Sequence, residues 1–326
     1  MAEKKRTFGI IGLGKMGANL AMQAMEKGYG VAGMDKHELA AALKETSIKK
    51  ADNTKHLVEM LEKPRIVFLY IPAGKVVDEV IDDLAKVMSK GDIIVDGGNS
   101  YWGDSIRRAE RMKTKGVYFI DCGTSGGVDG ARNGACFMVG GDNEPVGIIT
   151  PILKDLAVPG GFVHAGPSGT GHYVKLVHNG IEFGMLQAIG EGMDMLERFR
   201  YKLNISEILH TWNHGSVIRS WLVELMEQEY KNLHGMESVP PYIEDTGEVN
   251  WLVDDALHME ISIPVITESV MQLFASRDQQ KNWARAIAMM RHGFGGHPYG
   301  EDQGIQKERK YGRVEGYLQE VNKKND

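Results

Sequence analysis

Lys175, His178, Asn179 and Glu182 recur at the i, i+3, i+4 and i+7 spacing of one helical face. An amine and a carboxyl two turns apart, with an imidazole and an amide between them, are the equipment of general acid–base chemistry. The alternative is a solvated polar stripe with ordinary i,i+4 pairing. Val174, Leu176, Val177 and Ile181 on the other faces predict instead a largely buried helix. Polar groups on such a helix are costly unless partnered or functional.

A second constellation lies near the start of the chain. The β-prone run Thr7-Phe8-Gly9-Ile10-Ile11 leads directly into Gly12-Leu13-Gly14-Lys15-Met16-Gly17, and helical spacing continues from there through Lys27. This is G-x-G-x-x-G between a strand and a helix. The glycines permit a tight turn, close approach to a pyrophosphate and tight helix–strand packing, while the helix N-terminus offers free N–H groups. Val31 to Met34 predicts a second strand, with Asp35 at its end, about twenty residues beyond the first glycine as the motif expects. A carboxylate there accepts from ribose hydroxyls and repels a 2′-phosphate, which favours NAD over NADP. Lys36 and His37 soften that preference, and a helix N-cap is the other use for Asp35.

Strands and helices continue to alternate. Ile66 to Ile71 is a near-continuous apolar run, as in a parallel strand covered on both faces. It turns through Pro72-Ala73-Gly74 into a helix reaching about Met88. Asp92 to Asp96 is a strand ending in Gly97-Gly98-Asn99-Ser100, Asp104 to Lys113 a helix, and Val117 to Ile120 a strand. Weaker strands at 135–139 and 162–163 extend the sheet. The fold class is an α/β Rossmann-type doubly wound parallel sheet followed by an all-α C-terminal domain, divided as residues 1–168 and 169–326. In such sheets ligands sit at the carboxyl ends of the strands. The loops at Gly12, Ile71-Pro72-Ala73, Asn99 and Cys122-Gly123-Thr124-Ser125-Gly126-Gly127 should therefore line one cleft, although Asn99 and Ser125-Gly126-Gly127 are each also consistent with a plain turn.

From Ser168 onward strand-like alternation stops. Gly171 to Arg198 reads as one long helix. Further helices are expected from Ser206 (with Ser206 as cap), over 216–230, 249–259 and 266–277, and over 282–290. The end of the chain then becomes glycine-rich while holding Arg291, His292, Phe294 and His297. On composition alone it is either a disordered tail or a segment that reaches a site in another subunit.

The whole sequence sets broad limits. It has 326 residues, 42% hydrophobic and 25% charged, with a net charge of −6. That suits a globular protein and gives no sign of a nucleic-acid or membrane partner. The two cysteines, Cys122 and Cys136, have no metal-ligand spacing, so buried thiols, no metal and a cytoplasmic location are expected.

Taken together, Gly12 to Gly17, Asp96 to Ser100, Ser125 to Gly127 and the Lys175-x-x-His-Asn-Gly-Ile-Glu182 core resemble the decarboxylating 6-phosphogluconate dehydrogenases, above all their short-chain NAD-using branch. The wider β-hydroxyacid dehydrogenase superfamily shares the nucleotide loop but typically lacks the His178 and Glu182 combination. A member of it acting without decarboxylation on an unphosphorylated hydroxy acid is the alternative, and a non-catalytic NAD(H) sensor is a third. The resemblance implies that Lys175 takes the proton from a substrate hydroxyl as hydride leaves. Glu182 would then protonate the enediol after CO2 is lost. Asn99, Ser125, Gly126, Gly127, His178 and Asn179 would hold the sugar acid, Met16 would lie near the nicotinamide, and Gly12, Leu13, Gly14, Lys15, Gly17, Asp35, Ile71, Pro72 and Ala73 would hold the dinucleotide with Asn99. The tail would carry Arg291 and His297 into a neighbouring subunit's site to meet the phosphate end of the sugar-acid phosphate, which implies a homodimer or homotetramer. Three departures lie at that phosphate end. Phe183 replaces the family's tyrosine, the loop Thr246 to Trp251 holds no lysine, and the phosphate-binding arginine has only Arg277 as its nearest candidate.

Overall fold

The structure, a computed structural model, describes residues 5–306. The last twenty residues of the expected C-terminal domain lie outside that range. The described residues fall into two compact units, one of residues 5–240 and 244–272, the other of 241–243 and 273–306.

The first unit opens with β1 (Thr7–Ile11), α1 (Lys15–Glu26), β2 (Gly30–Met34), α2 (Ala41–Lys44), β3 (Lys49–Lys50), α3 (Thr54–Glu59), β4 (Ile66–Leu69), α4 (Lys75–Val87) and β5 (Ile93–Asp96). It continues with α5 (Trp102–Lys113), β6 (Tyr118–Ser125), α6 (Gly127–Asn133), β7 (Ala135–Gly140), α7 (Asn143–Leu156) and β8 (Ala157–Gly166). The eight strands form one sheet in the order β3-β2-β1-β4-β5-β6-β7-β8. Every pairing is parallel except β6 with β7. The chain winds outward from β1 in both directions, so β1 and β4 flank the switch point where such sheets open a crevice.

The central strands are apolar without interruption because both their faces are covered. Ile66 and Phe68 enter the core on one side and Val67 and Leu69 the core on the other. Ile93 and Val95 divide from Ile94 in the same way. One expectation fails at β7, which runs antiparallel. Only nine residues separate it from β6, too few for a parallel crossover of a dozen or more.

The helical half contains α8 (Thr170–Glu197), α9 (Ile205–Asn213), α10 (Trp221–Leu233), α11 (Glu248–His258) and α12 (Pro264–Arg277), which crosses into the second unit at Leu273. Asn204, not Ser206, caps α9 by accepting from the Glu207 N–H. The helix expected from Ser216 begins only at Trp221. Gly215 holds a left-handed φ of +112°, and Ser220 caps the new start through the Val223 N–H. Nor is α8 buried all round: Leu176, Asn179 and Gly180 are buried, whereas Val174 is 38% and Ile181 54% exposed.

The second unit contains α13 (Asn282–Gly295). This helix runs past Met290 through the glycines expected to end it. A left-handed Gly296 closes it, donating its N–H to the His292 carbonyl. His292 stacks on Tyr299 with ring centres 4.5 Å apart and hydrogen-bonds through Nδ1 to the His297 carbonyl at 2.8 Å.

Candidate active site

The glycine loop between β1 and α1 is shaped by close backbone packing. Gly12 has φ +92°, and a methyl group there would stand 2.3 Å from the Tyr70 carbonyl oxygen. One on Gly17 would stand 1.9 Å from the Gly12 carbonyl. Gly14 differs: nothing lies within 4 Å of where its methyl would point. The loop therefore presents bare backbone to open space at the N-terminus of α1, as a pyrophosphate requires. Asp35 faces the same loop. Its carboxylate accepts from the Leu13 N–H at 2.5 Å and the His37 N–H at 2.8 Å. It caps no helix, since α2 starts at Ala41. These residues fit a dinucleotide, with the Asp35 carboxylate at the end of β2 where an adenosine ribose is met in this fold.

The long helix α8 lies directly on the sheet. A methyl group on Gly171 would come within 2.5 Å of the Met138 carbonyl oxygen and 2.6 Å of the Gly140 nitrogen. One on Gly123 would stand 2.4 Å from Lys175 Cβ. Small residues on both partners let main chain meet main chain. Asp121, fully buried at the end of the parallel part of β6, receives the Gly169 N–H at 2.7 Å and the His172 N–H at 3.0 Å. A carboxylate at a helix N-terminus satisfies orphan donors and meets the positive end of the helix dipole. Ser105 on α5 bonds His172 Nδ1 at 2.7 Å and adds a second anchor.

So placed, Lys175, His178, Asn179 and Glu182 all line one cavity of about 1020 Å3. Met16, Ile71, Asn99, Ser125, Gly126 and Gly127 line it too. The Lys175 amine donates to Asn179 Oδ1. His178 bonds Ser125 Oγ through Nε2 at 3.2 Å and Asn179 Oδ1 through Nδ1 at 3.2 Å. Its Nδ1 also stands 3.8 Å from a Glu182 carboxylate oxygen. Burial pushes the Lys175 amine below its ordinary pKa, and the carboxylates of Glu182 and Glu248 partly oppose that shift. An amine whose pKa burial lowers, a carboxyl, and a serine–histidine pair in a cavity also lined by Gly126 and Gly127 suit proton transfer on a small hydroxylated acid.

Glu248, at the start of α11, also lines this cavity, as do Tyr70, Thr124 and Trp221. Sequence reasoning placed Thr124 in a cleft-lining loop but gave no site role to Glu248, Tyr70 or Trp221. Glu248 accepts from Asn99 Nδ2 at 2.9 Å. Just beyond Asn99 in the chain, Tyr101 and Trp102 both donate to Asp255 of α11, at 2.9 and 2.7 Å. The only local signal for Glu248 was an acidic residue in a helix's first turn, which is commonplace.

Gly12, Leu13, Gly14, Lys15, Gly17, Asp35, Pro72 and Ala73, expected to hold the dinucleotide, do not line the cavity itself. Arg277 ends α12 with its guanidinium over the Phe274 ring, and Arg291 is exposed on α13. Both belong to the second unit, as does His297. Among the described residues no group of three or more His, Cys, Asp or Glu is placed to hold a metal, and no helix is long and apolar enough to cross a membrane.

Residues 7–166 match the family model for the NAD binding domain of 6-phosphogluconate dehydrogenase, and residues 171–303 match that for its C-terminal domain. The chain is 41% identical over 291 residues to YqeC of Bacillus subtilis (strain 168), covering 89% of this chain and 98% of that one. It is 38% identical over 293 residues to the NAD(+)-dependent, decarboxylating 6-phosphogluconate dehydrogenase of Haloferax volcanii, covering 89% of this chain and 97% of the relative. Among solved structures it resembles Plasmodium falciparum 6-phosphogluconate dehydrogenase, with a TM-score of 0.76 at 28% identity over 91% of this chain and 66% of that one.

Proposed function

The chain belongs to the 6-phosphogluconate dehydrogenase family, and from that premise we propose that it oxidises and decarboxylates 6-phospho-D-gluconate to ribulose 5-phosphate and CO2, with NAD as the electron acceptor. One observation carries the assignment. The Lys175 amine and the Glu182 carboxyl share one cavity with Met16 and Asn99, next to a glycine loop fitted to a dinucleotide.

A nicotinamide cofactor held by the β1–α1 glycine loop, Asp35 and Asn99 would supply the hydride acceptor for the substrate's C3. Lys175 removes the C3 hydroxyl proton at its Nζ, and burial favours the neutral amine that this step requires. The product is a β-keto acid, whose carbonyl accepts the electron pair released as CO2 departs. The protonated Lys175 then hydrogen-bonds that carbonyl oxygen. Glu182 delivers a proton to C1 of the resulting enediol. Ser125, His178, Asn179 and the amides of Gly126 and Gly127 hold the carboxylate and hydroxyls, and Asn99 serves both substrate and cofactor.

Asp35 supports NAD over NADP, because a second anion beside its carboxylate is repelled. We assign residues 1–168 to the nucleotide and 169–326 to the substrate. We also assign a homodimer or larger assembly in which Arg291 and His297 reach a neighbouring copy's substrate phosphate. The exposed Ile181, Met185 and Leu186 along α8 support a covered face in the assembly.

The test compares 6-phosphogluconate with gluconate, each with NAD and NADP, following reduced cofactor and evolved CO2. Equal amounts of NADH and CO2 from 6-phosphogluconate are expected. NADH without CO2, or turnover of gluconate alone, overturns the proposal.

A further inference from the structure

We propose that Glu248 is a positioning residue whose carboxylate, through Asn99 and Asn179, keeps the lone pair of Lys175 turned toward the substrate. This deepens the assignment of 6-phosphogluconate oxidation and rests on it.

Hydrogen-bond polarity sets the sense of the row. A carboxylate only accepts. The two oxygens of Glu248 take the Asn99 Nδ2–H at 2.9 Å and the Thr246 hydroxyl. With its amino group committed, Asn99 turns its oxygen toward Asn179 Nδ2, 3.5 Å away. Asn179 is then left with its own oxygen facing Lys175 Nζ and His178 Nδ1. Each amide has one donating and one accepting end, so the sense set at Glu248 passes along the row. That sense matters for a base. When Asn179 offers its oxygen, Lys175 donates an N–H and keeps its lone pair for the substrate proton. A reversed Asn179 donates into that lone pair and disables it. Nothing in an isolated Asn–Asn pair prefers one sense over the other.

The same carboxylate also acts by charge. Lys175 is faced by Glu182 and His178 on its own helix, by Glu248 from α11 and by Cys136 from β7. Removing the charge of Glu248 leaves burial less opposed, so the amine loses its proton more readily.

The test uses the intact enzyme with Glu248→Gln and Glu248→Ala, and two readouts. The first is the pH profile of kcat/KM. The second is the pH dependence of Lys175 acylation in ligand-free protein, read by mass spectrometry, which needs no turnover. Gln keeps an acceptor for Asn99 while losing the charge. The acidic limb and the acylation midpoint should both move to lower pH, by about half a unit to one unit. Ala loses the acceptor as well, and kcat should fall about tenfold or more, with a smaller change in KM. An unmoved midpoint in Glu248→Gln overturns the electrostatic role, and wild-type kcat in Glu248→Ala overturns the relay. If the wild type fails on 6-phosphogluconate, the functional assignment has failed and the acylation measurement still decides the charge effect.

Discussion

Gly123 and Lys175 lie so close that a single added methyl on the glycine would stand 2.4 Å from the lysine Cβ. The strand that ends in the Ser-Gly-Gly turn and the helix that bears the amine are thus seated backbone to backbone.

Gly123→Ala forces the helix outward, since the obstructing atom is a Cβ fixed to main chain rather than the tip of a flexible side chain. A loss of about 1–3 kcal/mol in unfolding free energy is expected. A larger proportional fall in kcat should accompany it, because Lys175 and Ser125 move apart. Urea unfolding and steady-state kinetics check both, and a variant with wild-type values of each shows that this close packing is not needed.

Lys175→Met should abolish NADH formation, a loss of at least about a hundredfold. Glu182→Gln should hit the protonation step hardest, so release of the unprotonated enediol or slowed C1 exchange should outweigh loss of hydride transfer. Equal NADH production by wild type and Lys175→Met would sink the role given to the amine.

Lys175 also carries a stability signature. Its folded pKa lies below that of the unfolded chain, so between the two values the unfolded state binds more protons and stability rises with pH. Below the folded pKa the buried charge is a full penalty. Above the unfolded value, about 10.4, it is gone. Lys175→Met should therefore gain in stability relative to wild type at pH 6–7, and that gain should shrink toward pH 10. Paired urea titrations at several pH values measure it, and a difference independent of pH contradicts the assignment of a desolvated amine.

Asp35→Asn removes the charge that opposes a 2′-phosphate while leaving its oxygen for the Leu13 N–H. The ratio of kcat/KM for NAD over NADP should fall about tenfold. An unchanged ratio means that another group sets the preference.

Asp121→Asn tests the anchoring of α8. One of the two N–H groups that now donate to the carboxylate, from Gly169 and His172, would face an amide donor in a fully buried setting. A loss of about 1–3 kcal/mol is expected. Denaturant midpoints check it, and an unaffected midpoint shows that the cap contributes nothing.

The parts of the site that were legible in the sequence are those written within a single element. Lys175 to Glu182 obey one helical period, and Gly12 to Gly17 obey one turn. Both patterns are local, and both appear where the residues put them. Glu248 was not legible, because its meaning depends on a neighbour, Asn99, that the fold brings from a distant strand end. The exposed flank of α8 was illegible for a similar reason. Val174 and Ile181 are apolar, but apolarity does not say whether another element arrives to cover it. The direction of β7 was legible in principle from the short Ser125-to-Ala135 connection, and apolar periodicity alone obscured it. At the C-terminal side, composition argued for helix breaking over 293–296, yet α13 continues to Gly295 because isolated glycines weaken a helix without ending it.

Helix α11 is gripped near both ends by one short stretch of chain: Asn99 holds Glu248 at its start, while Tyr101 and Trp102 hold Asp255 nearer its finish. Two points of attachment fix a rod's rotation as well as its position. The segment between Leu233 and Glu248 is thereby relieved of any duty to aim the rod it leads into. Grafts or deletions within its exposed residues 237–240 should be tolerated where a one-residue shift inside α11 would not.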